Sequence, residues 1–173
     1  DVDEGFILLS NNSSDIRSWE RLVLPTGPFG YDRNKYNHAA SGDLNNDGFE
    51  DVVVSITRDL PYYEGAYIQI LINDGDGELL DMTNTNFPVQ PRSDTHHGEG
   101  NIYLRDMNLD GNLDIIHSTR DYNSGYHGAH IAINNGNAYF VSIDNSDLPM
   151  KPDPGNNNYD YLMKALPINI DDE

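Results

Sequence analysis

Cysteine is absent from this 173-residue chain, so neither a disulfide framework nor thiol chemistry is open to it. Basic residues are scarce: 10 Lys and Arg stand against 29 Asp and Glu, leaving a formal charge of −19. That balance argues against nucleic acid, whose phosphates need clustered Lys and Arg, and against an anionic membrane surface. No apolar run approaches the roughly 18 residues of a membrane helix, so no membrane insertion is expected. No signal-like apolar stretch follows Asp1, and the numbering is expected to start on a mature protein or a cut piece. The lack of Cys suits a bacterial exported protein without fixing a compartment.

What is plentiful is turn chemistry. Gly (15) and Pro (9) accompany abundant Asn and Asp, and Tyr alone contributes 11 residues. Disordered acidic tails lack such aromatics, so the composition reads as a turn-rich β protein with its acid gathered at particular places.

Internal periodicity locates those places. Three stretches align without gaps: Ile7 to Pro25, Ile70 to Pro88 and Ile131 to Pro149. Their closing prolines stand 63 (25 to 88) and 61 (88 to 149) residues apart. Each is a β-rich run, a polar turn and a second run. Between them, Asp43–Val54 matches Asp106–Ile116, again 63 (43 to 106) apart. The runs from Asp51 to Ile56 and from Asp114 to Ser118 are apolar and β-branched, as buried strands are. Gly65–Ile72 and Gly128–Ile133 read as strands that alternate more, and Asn37–Gly42 and Asn101–Arg105 as short strands before the acidic loops. Asp74-Gly75-Asp76-Gly77 and Asn134-Asn135-Gly136-Asn137 carry hairpin-turn residues. No segment shows a helical period. The fold predicted is all-β: four-stranded antiparallel repeats of about 60 residues, the pattern of β-propeller blades. The boundaries predicted are a half blade over 1–27, blades over 36–90 and 100–150, and the start of another over 159–173. A segment of a larger propeller, completed by further blades of the same parent chain, is expected.

Both acidic loops read Asp-x-Asn-x-Asp-Gly-x-x-Asp. Ca²⁺ takes six to eight oxygens, and positions 1, 3, 5 and 9, with the carbonyl of position 7, can wrap one ion around the turn that Gly permits at position 6. One candidate site is therefore Asp43, Asn45, Asp47, Phe49 (carbonyl) and Asp51. The other is Asp106, Asn108, Asp110, Asn112 (carbonyl) and Asp114. Carboxylates crowded in this way repel one another without a cation, which gives Ca²⁺ a folding role. A stabilising role is expected over a catalytic one, because saturated ligation leaves no open position for substrate. Neither loop is an EF-hand: Val54 and His117 stand where a bidentate Glu is required, and the flanking helices are missing.

These loops, each followed by Ile-Leu-Ile-Asn-Asp-Gly-Asp-Gly or Ile-Ala-Ile-Asn-Asn-Gly-Asn, resemble the FG-GAP/VCBS repeat family over residues 5 to 173. That family includes the blades of integrin α-subunit propellers and many bacterial exported proteins. The resemblance implies a propeller of seven or eight blades with Ca²⁺ held in edge loops, and a possible third loop starts at Asp171.

Other residues invite chemistry. His96-His97-Gly98-Glu99, with Asp94 nearby, could form a metal site or a general base for a propeller polysaccharide lyase or hydrolase, with Tyr126 as its partner. A polar loop is the favoured reading. Ser41 and the other serines lack any nucleophile-elbow signature. Tyr residues in the long loops (Tyr31, Tyr36, Tyr62, Tyr63, Tyr122, Tyr126, Tyr159, Tyr161) lie near Arg33, Arg58, Arg92 and Arg120, a combination that stacks on sugars or anchors proteins. Trp19 is expected to serve packing. The function expected is a calcium-binding module of an extracellular, cell-surface or periplasmic protein, adhering to or recognising a protein or glycan.

Overall fold

The computed structural model describes residues 5–10, 19–30, 33–58, 64–88, 96–97, 101–121 and 127–143. They form an all-β structure in three successive units. The first is an antiparallel hairpin, β1 (Phe6–Ser10) with β2 (Trp19–Val23). The second is β3 (Asn34–Gly42), β4 (Asp51–Arg58), β5 (Glu64–Asn73) and β6 (Leu79–Asp81), each paired antiparallel to the next. A single helical turn, α1 (Thr83–Asn86), follows. It departs from the helix-free expectation for a local reason: Asp81 accepts the Thr83 N–H at 3.0 Å, and the Thr83 hydroxyl accepts the N–H of Ile70 at 2.9 Å.

The two-residue β7 (His96–His97) bridges β5 and β9, parallel to the former and antiparallel to the latter. The third unit then repeats the second: β8 (Ile102–Arg105), β9 (Asp114–Asp121), β10 (His127–Asn134) and β11 (Phe140–Ser142). The four-stranded sets cover 34–81 and 102–142, and the sequence between 159 and 173 lies outside the described residues. The central strands run further than their apolar cores, because β-pairing continues through Thr57–Arg58 and Thr119–Asp121.

Alternation along β4 explains how the units stack. Val52, Val54 and Ile56 face one way, into a cluster with Leu24, Tyr67 and Leu71 that also receives Ile7 of the hairpin. Val53 faces the other way, into a cluster with Ile68, Ile70 and Phe87 from its own unit and Ile102, Ile115 and Phe140 from the next. Successive side chains on a strand point to opposite faces, so one apolar β-branched run serves two interfaces. Phe87 and Phe140 close the second interface edge to face, 6.1 Å between centroids. The N–H of Ile102 donates to His38 Nδ1 at 3.1 Å, a polar link across the same boundary.

The second and third units come close together at Gly42. A Cβ there would lie 2.6 Å from Leu113 Cδ1 and 3.3 Å from Leu104 Cδ1. Overpacking of this kind costs about 1–3 kcal/mol. Gly42→Val should lower stability by that amount in urea denaturation, and Leu113→Ala should remove part of the penalty in the double variant. An unchanged midpoint for Gly42→Val would show that the units are not in contact here.

Candidate metal centre

The two acidic loops join β3 to β4 and β8 to β9, and they are built alike. In the first, Asp43 Oδ1 and Asn45 Oδ1 both accept the N–H of Asp47 at 3.1 Å, and Asp43 Oδ2 accepts that of Gly48 at 2.9 Å. Asp47 Oδ1 accepts the Phe49 N–H at 2.9 Å, while Asn45 Nδ2 donates to Asp47 Oδ2 at 2.7 Å. In the second, Asp106 Oδ1 and Asn108 Oδ1 accept the Asp110 N–H at 3.1 and 3.2 Å, and Asp106 Oδ2 accepts that of Gly111 at 2.8 Å. Asp110 Oδ1 accepts the Asn112 N–H at 2.8 Å, and Asn108 Nδ2 donates to Asp110 Oδ2 at 2.9 Å. Gly48 and Gly111 both sit at φ 90°, in the left-handed region that glycine occupies without strain. Asn46 and Leu109, one position before the second acid, share φ near 60°.

Position 9 behaves differently from the others. Asp51 and Asp114 are fully buried and start the second strand of their units. Asp51 Oδ2 accepts the Leu44 N–H and Oδ1 that of Asn73, both at 2.9 Å. Asp114 does the same with Met107 at 2.7 Å and Asn134 at 2.9 Å. Burial raises both carboxyl pKa values; the paired backbone N–H groups oppose the rise, and the neighbouring acids of the same loop add to it. By contrast the exposed Asp110 is lowered, chiefly by the Asn112 N–H and then by Asn108.

These residues fit a hard cation in donor chemistry, since each loop gathers carboxylate and amide oxygens around one peptide group. Among the described residues no three carboxylate or imidazole groups form a metal-binding cluster. What each loop gathers is two acids and an amide, and the third acid is committed to the surrounding strands. Phe49 and Asn112, expected to contribute carbonyls, also use their side chains. The Phe49 ring covers Gly75, where a Cβ would lie 2.7 Å from it, and Asn112 Oδ1 accepts Asn46 Nδ2 at 3.0 Å.

That last bond joins the two loops, and sequence reading missed it. Loop 43–51 is seated on the third unit: the Leu44 carbonyl accepts Asn134 Nδ2 at 2.8 Å and the Ala138 N–H at 3.0 Å. Asn46 Nδ2 also donates to the Gly136 carbonyl at 3.1 Å. The signal for Asn134 was its repeat partner Asn73, which carries the same residue at the same place. The remaining candidates are scattered. His96 and His97 pair through their backbones with β9, and their side chains, like Tyr126 and Asp171, lie outside the described residues. His117 and His130 stack across β9 and β10 with centroids 6.5 Å apart. Trp19, expected in packing, is about half exposed and lines a cavity.

Leaving a buried N–H without its acceptor costs about 1–3 kcal/mol. Asp51→Ala would strand two, at Leu44 and Asn73. It should therefore lower unfolding free energy by about 2 kcal/mol or more, even in chelator. Denaturation that matches the parent chain in chelator would show the carboxylate has no structural part.

No curated protein and no solved structure matches the chain. A protein-family description, the FG-GAP-like repeat, matches residues 43–117, from the first acid of one loop through the whole of the other. Over residues 43–117, which lie in the all-β units described above, the chain is similar to an FG-GAP-like repeat.

Proposed function

We propose that the two loops bind one Ca²⁺ each, and that the chain is a recognition or adhesion module of an exported or cell-surface protein. The observation that carries the calcium reading is the duplication of one loop geometry. Side-chain oxygens from positions 1 and 3 converge on the position-5 N–H in both, so the oxygens a cation needs are already drawn together. A net charge of −19 adds a general attraction for divalent cations. Extracellular calcium modules work at dissociation constants of about 10⁻⁴–10⁻³ M, a range that would suit the surface or periplasmic setting proposed here. The partner would be a protein or a glycan engaged by the loops at one end of the units.

Titration calorimetry of chelator-stripped protein with Ca²⁺ is the test. Two equivalents should bind, Asp47→Ala and Asp110→Ala should each remove one, and the double variant should remove both. A ligand at 100 times its dissociation constant adds about 2.7 kcal/mol per site, so the melting temperature should rise several degrees with each ion. Absence of binding heat together with a melt indifferent to Ca²⁺ would reject the proposal. The partner is sought with the calcium-loaded protein on glycan and surface-protein arrays, where binding should be lost in chelator.

A further inference from the structure

Between hairpin β1–β2 and the second unit lies a cavity of about 500 Å³. Its wall on the second unit includes Glu50, Val52, Asn73, Gly77 and Leu79. Moved on by one repeat, these positions become Leu113, Ile115, Asn134, Ala138 and Phe140. They are the surroundings of Leu44: the last four are buried, Leu113 packs against the same cluster, and Asn134 and Ala138 donate to the Leu44 carbonyl. The cavity is thus a second copy of the socket that loop 43–51 occupies on the third unit.

Three further observations agree. Leu44 is 0% exposed, whereas its repeat partner Met107 is 41% exposed, and Leu109, the partner of Asn46, is 83% exposed. Among the described residues, a following turn meets the loop that is covered and none meets the loop that is open. On the other wall, β1 pairs with β2 alone among the described residues, although its repeat partner β5 is paired on both sides by β4 and β6. And Leu8 and Trp19 line the cavity while each remains 54% exposed, an apolar surface with room beside it.

We infer that this cavity and the edge of β1 away from β2 form one docking surface, whose occupant is an antiparallel hairpin carrying an Asp-aliphatic-Asn turn. The occupant has the chemistry of this chain's own β3–loop–β4 segment. Its second strand would extend the sheet at β1, as β4 extends it at β5, with a valine opposite Ile7 as Val53 stands opposite Ile70. Its aliphatic turn residue would fill the space beside Leu79, and Asn73 Nδ2 would donate to that residue's carbonyl as Asn134 does to Leu44. Glu50 in place of Leu113 leaves one wall acidic, so the occupant's neighbouring residues should be neutral or basic. The inference does not rest on calcium binding.

Trp19 is the chain's single tryptophan, which provides a readout. The probe is a synthetic peptide of residues 34–58, which contains none. Added to the intact protein, it should shift Trp19 emission to the blue in a saturable way. A Leu44→Asp peptide should bind at least tenfold more weakly. Asn73→Asp protein, which keeps the acceptor for Gly75 but loses the donor, should weaken the parent peptide about fivefold. If that variant does not fold, the two peptides still decide. Equal binding of both peptides, or no saturable shift, overturns the inference. A shift produced by a neutral oligosaccharide and not by the peptide overturns it in favour of a glycan cleft.

Discussion

One buried carboxylate per unit sets the conditions for everything around it. Asp51 and Asp114 stand at the first residue of a central strand, out of water, each accepting two backbone N–H groups. A charge in that position is costly unless it is hydrogen-bonded, and burial indeed pushes both carboxyls toward the neutral form. The two N–H donors come from different parts of the chain: one from the second residue of the acidic loop, one from the asparagine that ends the third strand. The acid can be accommodated only where both are delivered together. The requirement fixes the loop to the sheet before any ion enters the argument, and leaves the remaining acids to face one another across a turn already shaped.

The same bonds connect one unit to the next. Leu44 donates its N–H to Asp51 and accepts at its carbonyl from Asn134 Nδ2, while Asn134 donates its own N–H to Asp114. An unbroken line of hydrogen bonds therefore runs from the buried acid of one unit to that of its neighbour, with Leu44 also buried in the apolar cluster between them. Networks in low dielectric are mutually reinforcing when complete and expensive when broken. Stacking of units and shaping of loops are consequently one event here.

Much of this was legible in the sequence, and the reason is the repeat. Two copies of Asp-x-Asn-x-Asp-Gly-x-x-Asp at one spacing identify equivalent loops, and the β-branched runs after Asp51 and Asp114 identify central strands. The hairpin turns at Gly75 and Gly136, both at positive φ, follow from residue chemistry alone. What was not legible involves choices between equally suitable partners. Nothing in the nine-residue pattern says that the last acid turns to backbone N–H groups while the others line the loop; that depends on strand burial, a tertiary fact. Nor does a sequence reveal that Asn134 reaches across a unit boundary while Asn73, in the same local setting, faces a cavity. The difference lies in what is stacked beside each, which the residues themselves do not record.

Identical bonding within the loops does not make them equivalent in freedom. Loop 43–51 is held from outside at Leu44 and Asn46, so its backbone is ordered by contacts that persist whatever its carboxylates do. Loop 106–114 has the same internal bonds, yet Met107 and Leu109 stand open to solvent. Fixing the backbone of one residue costs about 1–2 kcal/mol of conformational entropy. In the first loop that cost is largely met on folding, by burial of an aliphatic side chain and by bonds from the next unit. In the second, Met107 and Leu109 contribute no such burial, and the internal hydrogen bonds carry more of the cost. A repeat architecture thus gives the same loop motif two different supports, and the difference between them comes from the neighbour, not from the motif.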